Sequence, residues 1–87
     1  MVKKVFSIFD IVAKVYGPLM LYVHEGEAIR DFSDAVVNPK TSIAAHPEDY
    51  RLYRLGEYDD NSGLIDSVNP EFICNAVDFV KKDVVVK

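Results

Sequence analysis

The run from Tyr50 to Tyr58, closed by Asp59-Asp60-Asn61-Ser62-Gly63, constrains this chain most. Its aromatic and aliphatic residues suit a strand, the polar residues after it suit a turn, and Leu64 to Val68 is again strand-like. Two such runs around such a turn close as an antiparallel hairpin. A lone hairpin is marginal in water, so the rest of the chain has to supply more strands and a layer that covers one face.

Val5 to Phe9 reads as a strand that is apolar on both faces apart from Ser7. Ile11 to Tyr16 fits either a helical turn or continued strand. Gly17-Pro18 breaks the chain, and Leu19 to Val23 reads as a second strand antiparallel to the first. Gly26 to Val37 is the clearest helix, with Ala28, Ile29, Phe32, Ala35 and Val36 forming one apolar stripe. Glu25 and Glu27 favour its N-terminal end, Arg30 and Asp34 are spaced as an ion pair, and Asn38-Pro39 stops it. Residues 40–48 read as a loop with room for a short helical turn. Asn69-Pro70-Glu71 has the form of a helix start, which predicts a second helix to about Val80 with Phe72, Ile73, Ala76, Val77 and Val80 on its buried side. Val84-Val85-Val86 is strand-like and is a candidate short C-terminal strand, here or on a neighbouring subunit. The expected fold is one α+β domain over residues 1–87: a four-stranded, mainly antiparallel sheet in ββαββα order with two helices on one face.

Composition narrows the function classes. At 87 residues the core is thin, so partner contacts or self-association are expected to add stability. The single Cys74 excludes an internal disulfide and an all-cysteine zinc site, and its apolar setting reads as a small buried hydrophobe. No run reaches the ~18–20 apolar residues of a membrane helix, and Asp10 and Lys14 interrupt the apolar stretch after Lys3 and Lys4, which argues against a signal peptide. The net charge of −4 argues against autonomous tight binding of DNA through phosphates but leaves room for a local basic patch.

Three groups of residues carry candidate chemistry. Glu57, Asp59, Asp60, Asn61 and Asp66 could gather oxygens around a cation, yet Leu64 stands where a calcium loop needs glycine and Pro70 where it needs an acid, so a solvated turn is the better reading. His24 and His46 have no nucleophile or glycine-rich phosphate loop in the sequence to work with, so no catalytic residue, metal site or cofactor is expected. Arg51, Tyr53, Arg54 and Tyr58 interleave cations and rings along one strand, as single-stranded nucleic acid requires: rings stack on bases and cations meet phosphates. Strict alternation places Arg51, Tyr53, Leu55 and Glu57 on one face and Tyr50, Leu52, Arg54, Gly56 and Tyr58 on the other. An ordinary half-buried strand with tyrosines at its edges fits the same residues. Lys3, Lys4, Lys81 and Lys82 lie near the two ends and would form a basic patch if the ends meet.

Several blocks carry a family resemblance: Val5-Phe6-Ser7-Ile8-Phe9-Asp10, Gly17-Pro18, Gly26 to Val36, His46-Pro47-Glu48-Asp49-Tyr50, and Leu52 to Asp59 followed by Gly63. In order and spacing, over Val5 to Gly63, the chain resembles the small nonstructural protein of gokushovirus-type microviruses, phages with single-stranded DNA genomes. The resemblance implies a non-enzymatic accessory protein acting in viral genome synthesis or its coupling to packaging. It places the protein in the cytoplasm of the bacterial host and outside the mature virion. The expected partner is single-stranded DNA, held through Arg51, Tyr53, Arg54, Tyr58, Lys3, Lys4, Lys81 and Lys82 by a homo-oligomer. The alternative is a protein-interaction module that regulates a viral or host replication or packaging protein through its acidic helix face and hairpin.

Overall fold

The computed structural model describes residues 1–80. Its elements are β1 (Val2–Asp10), β2 (Val15–Tyr16), β3 (Met20–Tyr22), α1 (Glu25–Val37), α2 (Ser42–Ala45), β4 (Tyr50–Asp59) and β5 (Ile65–Asn75), with 3-10 helices at Pro47–Asp49 and Ala76–Phe79. The sheet is antiparallel and has five strands, ordered β2-β1-β4-β5, with β3 paired to β1 beyond β2. The expected α+β class holds. The strand count and the ββαββα order are corrected: the second predicted strand is preceded by a short extra one, and the second helix is not where the sequence pointed.

The ambiguous Ile11–Tyr16 stretch is a tight turn followed by β2. The Asp10 carboxylate accepts from the Val12 and Ala13 amides at 3.0 and 3.1 Å, and Lys14 closes the turn with φ of 60°. Gly17-Pro18-Leu19 then interrupts the edge without detaching it. The Gly17 amide donates to the Ile8 carbonyl at 2.8 Å, and the buried Ser7 hydroxyl donates to the Gly17 carbonyl at 2.8 Å. β2 and β3 thus act as one broken edge strand.

The helix over Gly26–Val37 forms as its periodicity requires. Ala28, Phe32 and Val36 are its buried residues, and Glu27 accepts from the His24 amide at 3.2 Å, which satisfies a free donor at the helix start. The expected Arg30–Asp34 pair does not form among the described residues; Asp31 instead accepts from the Tyr22 hydroxyl at 2.9 Å. Phe6, Leu52, Phe32, Val36, Ala28 and Ala76 make the core between sheet and helix, with Ile8, Tyr50, Ile73, Cys74 and Phe79 packed around it. Each large side chain sealed there contributes roughly 1.5–3 kcal/mol.

The helix predicted from Pro70 to Val80 is a strand. Residues 65–75 continue the hairpin, and only Ala76–Phe79 turn helical, in one 3-10 segment. Arg54 faces Glu71 and Gly56 faces Ser67, so Val68, Asn69 and Pro70 form a bulge against a single residue of β4. Proline is tolerated there because β5 is an edge strand and the bulge asks it for no ladder donor. Pairing of Cys74 with Leu52 and of Phe72 with Tyr53, and the packing of Ile73 and Cys74 against the core, outweigh a helix-start signal worth only about 1 kcal/mol. The strand-like Val84–Val86, with Lys81 and Lys82, lies outside the described residues.

Candidate nucleic-acid interface

Both helices lie on one side of the sheet, and the register of the strands decides what the other side offers. Residues directly opposite each other share a face. Phe6, Ile8, Leu52 and Tyr50 face α1, so their strand neighbours Ser7, Phe9, Tyr53 and Arg51 face away from it. At Leu55, β4 carries one residue more than β1: Phe6 pairs with Arg54, while Val5 pairs with Gly56. The bulge reverses the alternation. It moves Tyr58 to the face of Tyr53 and leaves Arg54 and Glu57 on the helix side, which corrects the strict alternation read from the sequence.

The open face therefore carries an aromatic row across the strands. Phe9 packs on Tyr16 with ring centres 4.8 Å apart, Phe9 and Tyr16 both pack on Tyr53 at 6.0 and 5.7 Å, and Tyr53 packs on Phe72 at 5.9 Å. The three contacts to Tyr53 are edge-to-face, a favourable arrangement for aromatic quadrupoles. The inner rings are half-buried; Tyr16 and Phe72 at the ends of the row are 40% and 50% exposed. Arg51 stands opposite Phe9 at the same end of the sheet. Toward the hairpin the face turns aliphatic, where Val5, Leu19, Leu21, Tyr58 and Ile65 line a cleft of about 430 Å³.

Charge is distributed unequally between the faces. By register, the strand carboxylates Asp10, Glu57, Asp59, Asp66 and Glu71 all fall on the helix side, where Glu25, Glu27, Asp31 and Asp34 of α1 add to them. The charged strand residues of the open face are Lys3 and Arg51, both cations. The chain is acidic, but this face is not.

The predicted site residues separate accordingly. Arg51, Tyr53 and Tyr58 share the open face. Lys3 lies at its hairpin end, with its ammonium 3.6 Å from Asp60. Arg54 is on the helix side, 3.6 Å from the Glu71 carboxylate and donating to the Gly56 carbonyl at 3.4 Å, so it does not belong to the row. Lys4 is opposite Tyr22 and Glu57, also on the helix side. Phe9, Tyr16 and Phe72 were missed. Val5–Phe9 is apolar on both faces, which is the one local sign that its second face meets other rings, and Phe72 falls within the helix that the sequence predicts.

Other candidate chemistry is accounted for locally. The Asp59 carboxylate accepts from the Asn61 amide at 2.9 Å, which holds its pKa below the usual carboxylate value, so it shapes the turn. His46, Glu48 and Asp49 lie close together, but His46 ends α2 and begins the next turn, and all three are at least partly in solvent. No described helix is long and apolar enough to cross a membrane.

A family model described as Phage ORF5 protein matches residues 3–79. The chain belongs to this phage protein family. The matched span runs from β1 to the last 3-10 helix and so includes both halves of the open face. No curated protein and no solved structure matches the chain.

Proposed function

We propose that this phage protein is a non-enzymatic accessory of a gokushovirus-type microvirus that binds single-stranded DNA on its open sheet face. The reading places it in the cytoplasm of the bacterial host, outside the mature virion, during genome synthesis or its coupling to packaging. The observation that supports it is the pairing of an exposed aromatic row with a face from which strand carboxylates are absent. Tyr16 and Phe72 offer stacking surfaces, and Arg51 offers a phosphate contact beside them. Base stacking on such rings is worth roughly 1–3 kcal/mol per base and tolerates sequence. The row is short, so one copy holds few nucleotides and an oligomer aligning several copies raises the affinity without new contacts.

The acidic helix side supports a second contact of different chemistry, with a viral or host replication or packaging protein. The test is a gel shift with a single-stranded oligonucleotide at low salt, beside a pull-down from host lysate. Arg51→Glu and the double variant Tyr16→Ala/Phe72→Ala should each weaken DNA binding at least tenfold. Arg54→Gln should change it less than twofold. Equal loss in Arg54→Gln, or binding indifferent to all of them, rejects the face; a blank gel shift with a specific captured protein favours the second contact alone.

A further inference from the structure

Half of the open face takes no part in the aromatic row. Between the row and the hairpin, Val5 of β1 and Tyr58 of β4 are flanked by Leu19 and Leu21 on the β3 side and by Ile65 of β5 on the other. These residues line the cleft of about 430 Å³, a volume within the range of small-ligand sites. Leu19 and Ile65 are 64% and 69% exposed, so the two walls stand in water and not in the core. The Tyr58 hydroxyl is the one polar side-chain group in this lining. Lys3 and Arg51, the strand cations of this face, bracket the cleft. Arg51 stands opposite Phe9 and Lys3 opposite Tyr58, which sets the two positions ~20 Å apart along β1, with Val5 between them. The Asp60 carboxylate of the hairpin turn lies 3.6 Å from Lys3 at the far end of this path, while the strand carboxylates fall on the opposite face. A polyanion that meets both cations therefore passes over the cleft.

We propose that this cleft receives one base of the bound single strand and prefers thymine. The inference rests on reading the open face as the DNA platform and adds a base preference to it. Stacking on the aromatic row tolerates every base, because every base has a π-face. An apolar cleft is less tolerant. Cytosine, adenine and guanine each carry an exocyclic amino group, which needs a partner when it leaves water; thymine has none and carries a C5 methyl group instead. Val5, Leu19, Leu21 and Ile65 offer apolar contact to that methyl, and the Tyr58 hydroxyl can donate to one thymine carbonyl.

Size and charge favour a base over the apolar side chains of a second copy. Five residues line the cleft, against ~20–30 on each side of a stable protein interface. The cations at its two ends match phosphates, and an aliphatic partner would leave both without a counter-charge. The cleft is also continuous with the row: Val5 and Phe9 belong to one strand, Tyr58 and Tyr53 to its neighbour, so a strand stacked on the rings reaches the cleft without leaving the face.

Anisotropy titrations of the full chain at low salt test the preference, with two single-stranded probes of equal length and charge, one all thymidine and one all deoxyuridine. The probes differ only in the methyl group. The thymidine probe should bind about fourfold more tightly, the effect of burying one methyl. Leu19→Ser/Ile65→Ser, at two surface positions whose replacement leaves the core intact, should abolish that difference. Tyr16→Ala/Phe72→Ala should weaken both probes alike and preserve it. Equal affinity of the wild-type protein for the two probes, or a difference that survives in the cleft variant, overturns the proposal and leaves the platform standing. Equal affinity together with a sedimentation mass that falls in the cleft variant assigns the cleft to a second copy. Failure of either probe to bind at all rejects the platform itself, and the base preference with it.

Discussion

Gly56 is the residue at which the sheet accepts least change. A Cβ there would stand 2.1 Å from the Asp66 carbonyl oxygen and 3.1 Å from the Ser67 Cα. Both are backbone atoms of the paired strand, so no rotamer relieves the clash. Gly56→Ala should cost about 1–3 kcal/mol, the usual range for overpacking, seen as a lower urea midpoint with an unchanged slope. Nothing near Gly56 in the sequence announces this approach, because it depends on where a strand ten residues later crosses. Cys74 was legible by contrast. Burial, then the nearby charges of Asp78 and Glu25, push its thiol up to about 11. At pH 8 the thiolate is scarce, so iodoacetamide should label the folded chain far more slowly than the chain in urea. Equal rates would contradict the packing of Cys74 against the core.

The elements whose signals are local were readable, and β5 shows where locality fails. α1 is set by its own periodicity and stop, and the hairpin by its own turn residues. Residues 70–80 contain a genuine helix-start pattern, yet their pairing partner is β4, far away in sequence, and a ladder overrides a cap. The two assignments predict different energetics. On a helix, Phe72 would be core; on β5 it is half-exposed at the end of the aromatic row. Phe72→Ala should cost about 1 kcal/mol, near the worth of an aromatic pair. Phe32→Ala, which empties a core position of α1, should cost roughly 3–5 kcal/mol. Comparable losses in thermal or urea unfolding would return Phe72 to the core. The hairpin adds a pH signature. Hydrogen bonds from the Asn61 amide and from the Ser62 side chain and amide lower the pKa of Asp59, and the terminal ammonium of Met1, 2.6 Å away, lowers that of Asp60. A depressed carboxyl stabilises the fold above its unfolded value near 3.9 and loses that contribution as pH falls through the folded value. Both groups are in solvent, so the effect is small: Asp59→Asn should lower stability slightly above about pH 4 and flatten the acid limb of the stability curve below it.

At the scale of the whole molecule, the property that matters is an average that hides its parts. A net charge of −4 argues against DNA, and it is correct for the chain. It says nothing of one face, because strand parity, set by the bulge at Leu55 of β4 and by the bulges of β5, sends the carboxylates one way. The candidate site was half legible for this reason: Arg51 and Tyr53 were found on their strand, but Phe9 and Tyr16 join them only through pairing, and Arg54 leaves them. The open face has two strand cations, and one is engaged, since Asp60 lies 3.6 Å from Lys3. An exposed pair of this kind is weak, yet it still competes with a phosphate for the same ammonium. Removing the competitor should therefore help binding. Asp60→Asn is expected to raise affinity for single-stranded DNA a few-fold at low salt. It should also steepen the dependence of log affinity on log salt by ~0.7, the increment for one further phosphate on a single strand. Lys3→Gln in the same background should abolish both gains. A parallel loss of affinity in Asp60→Asn would instead mean that Asp60 orders the hairpin end of the platform, and that Lys3 is no part of the path the strand takes.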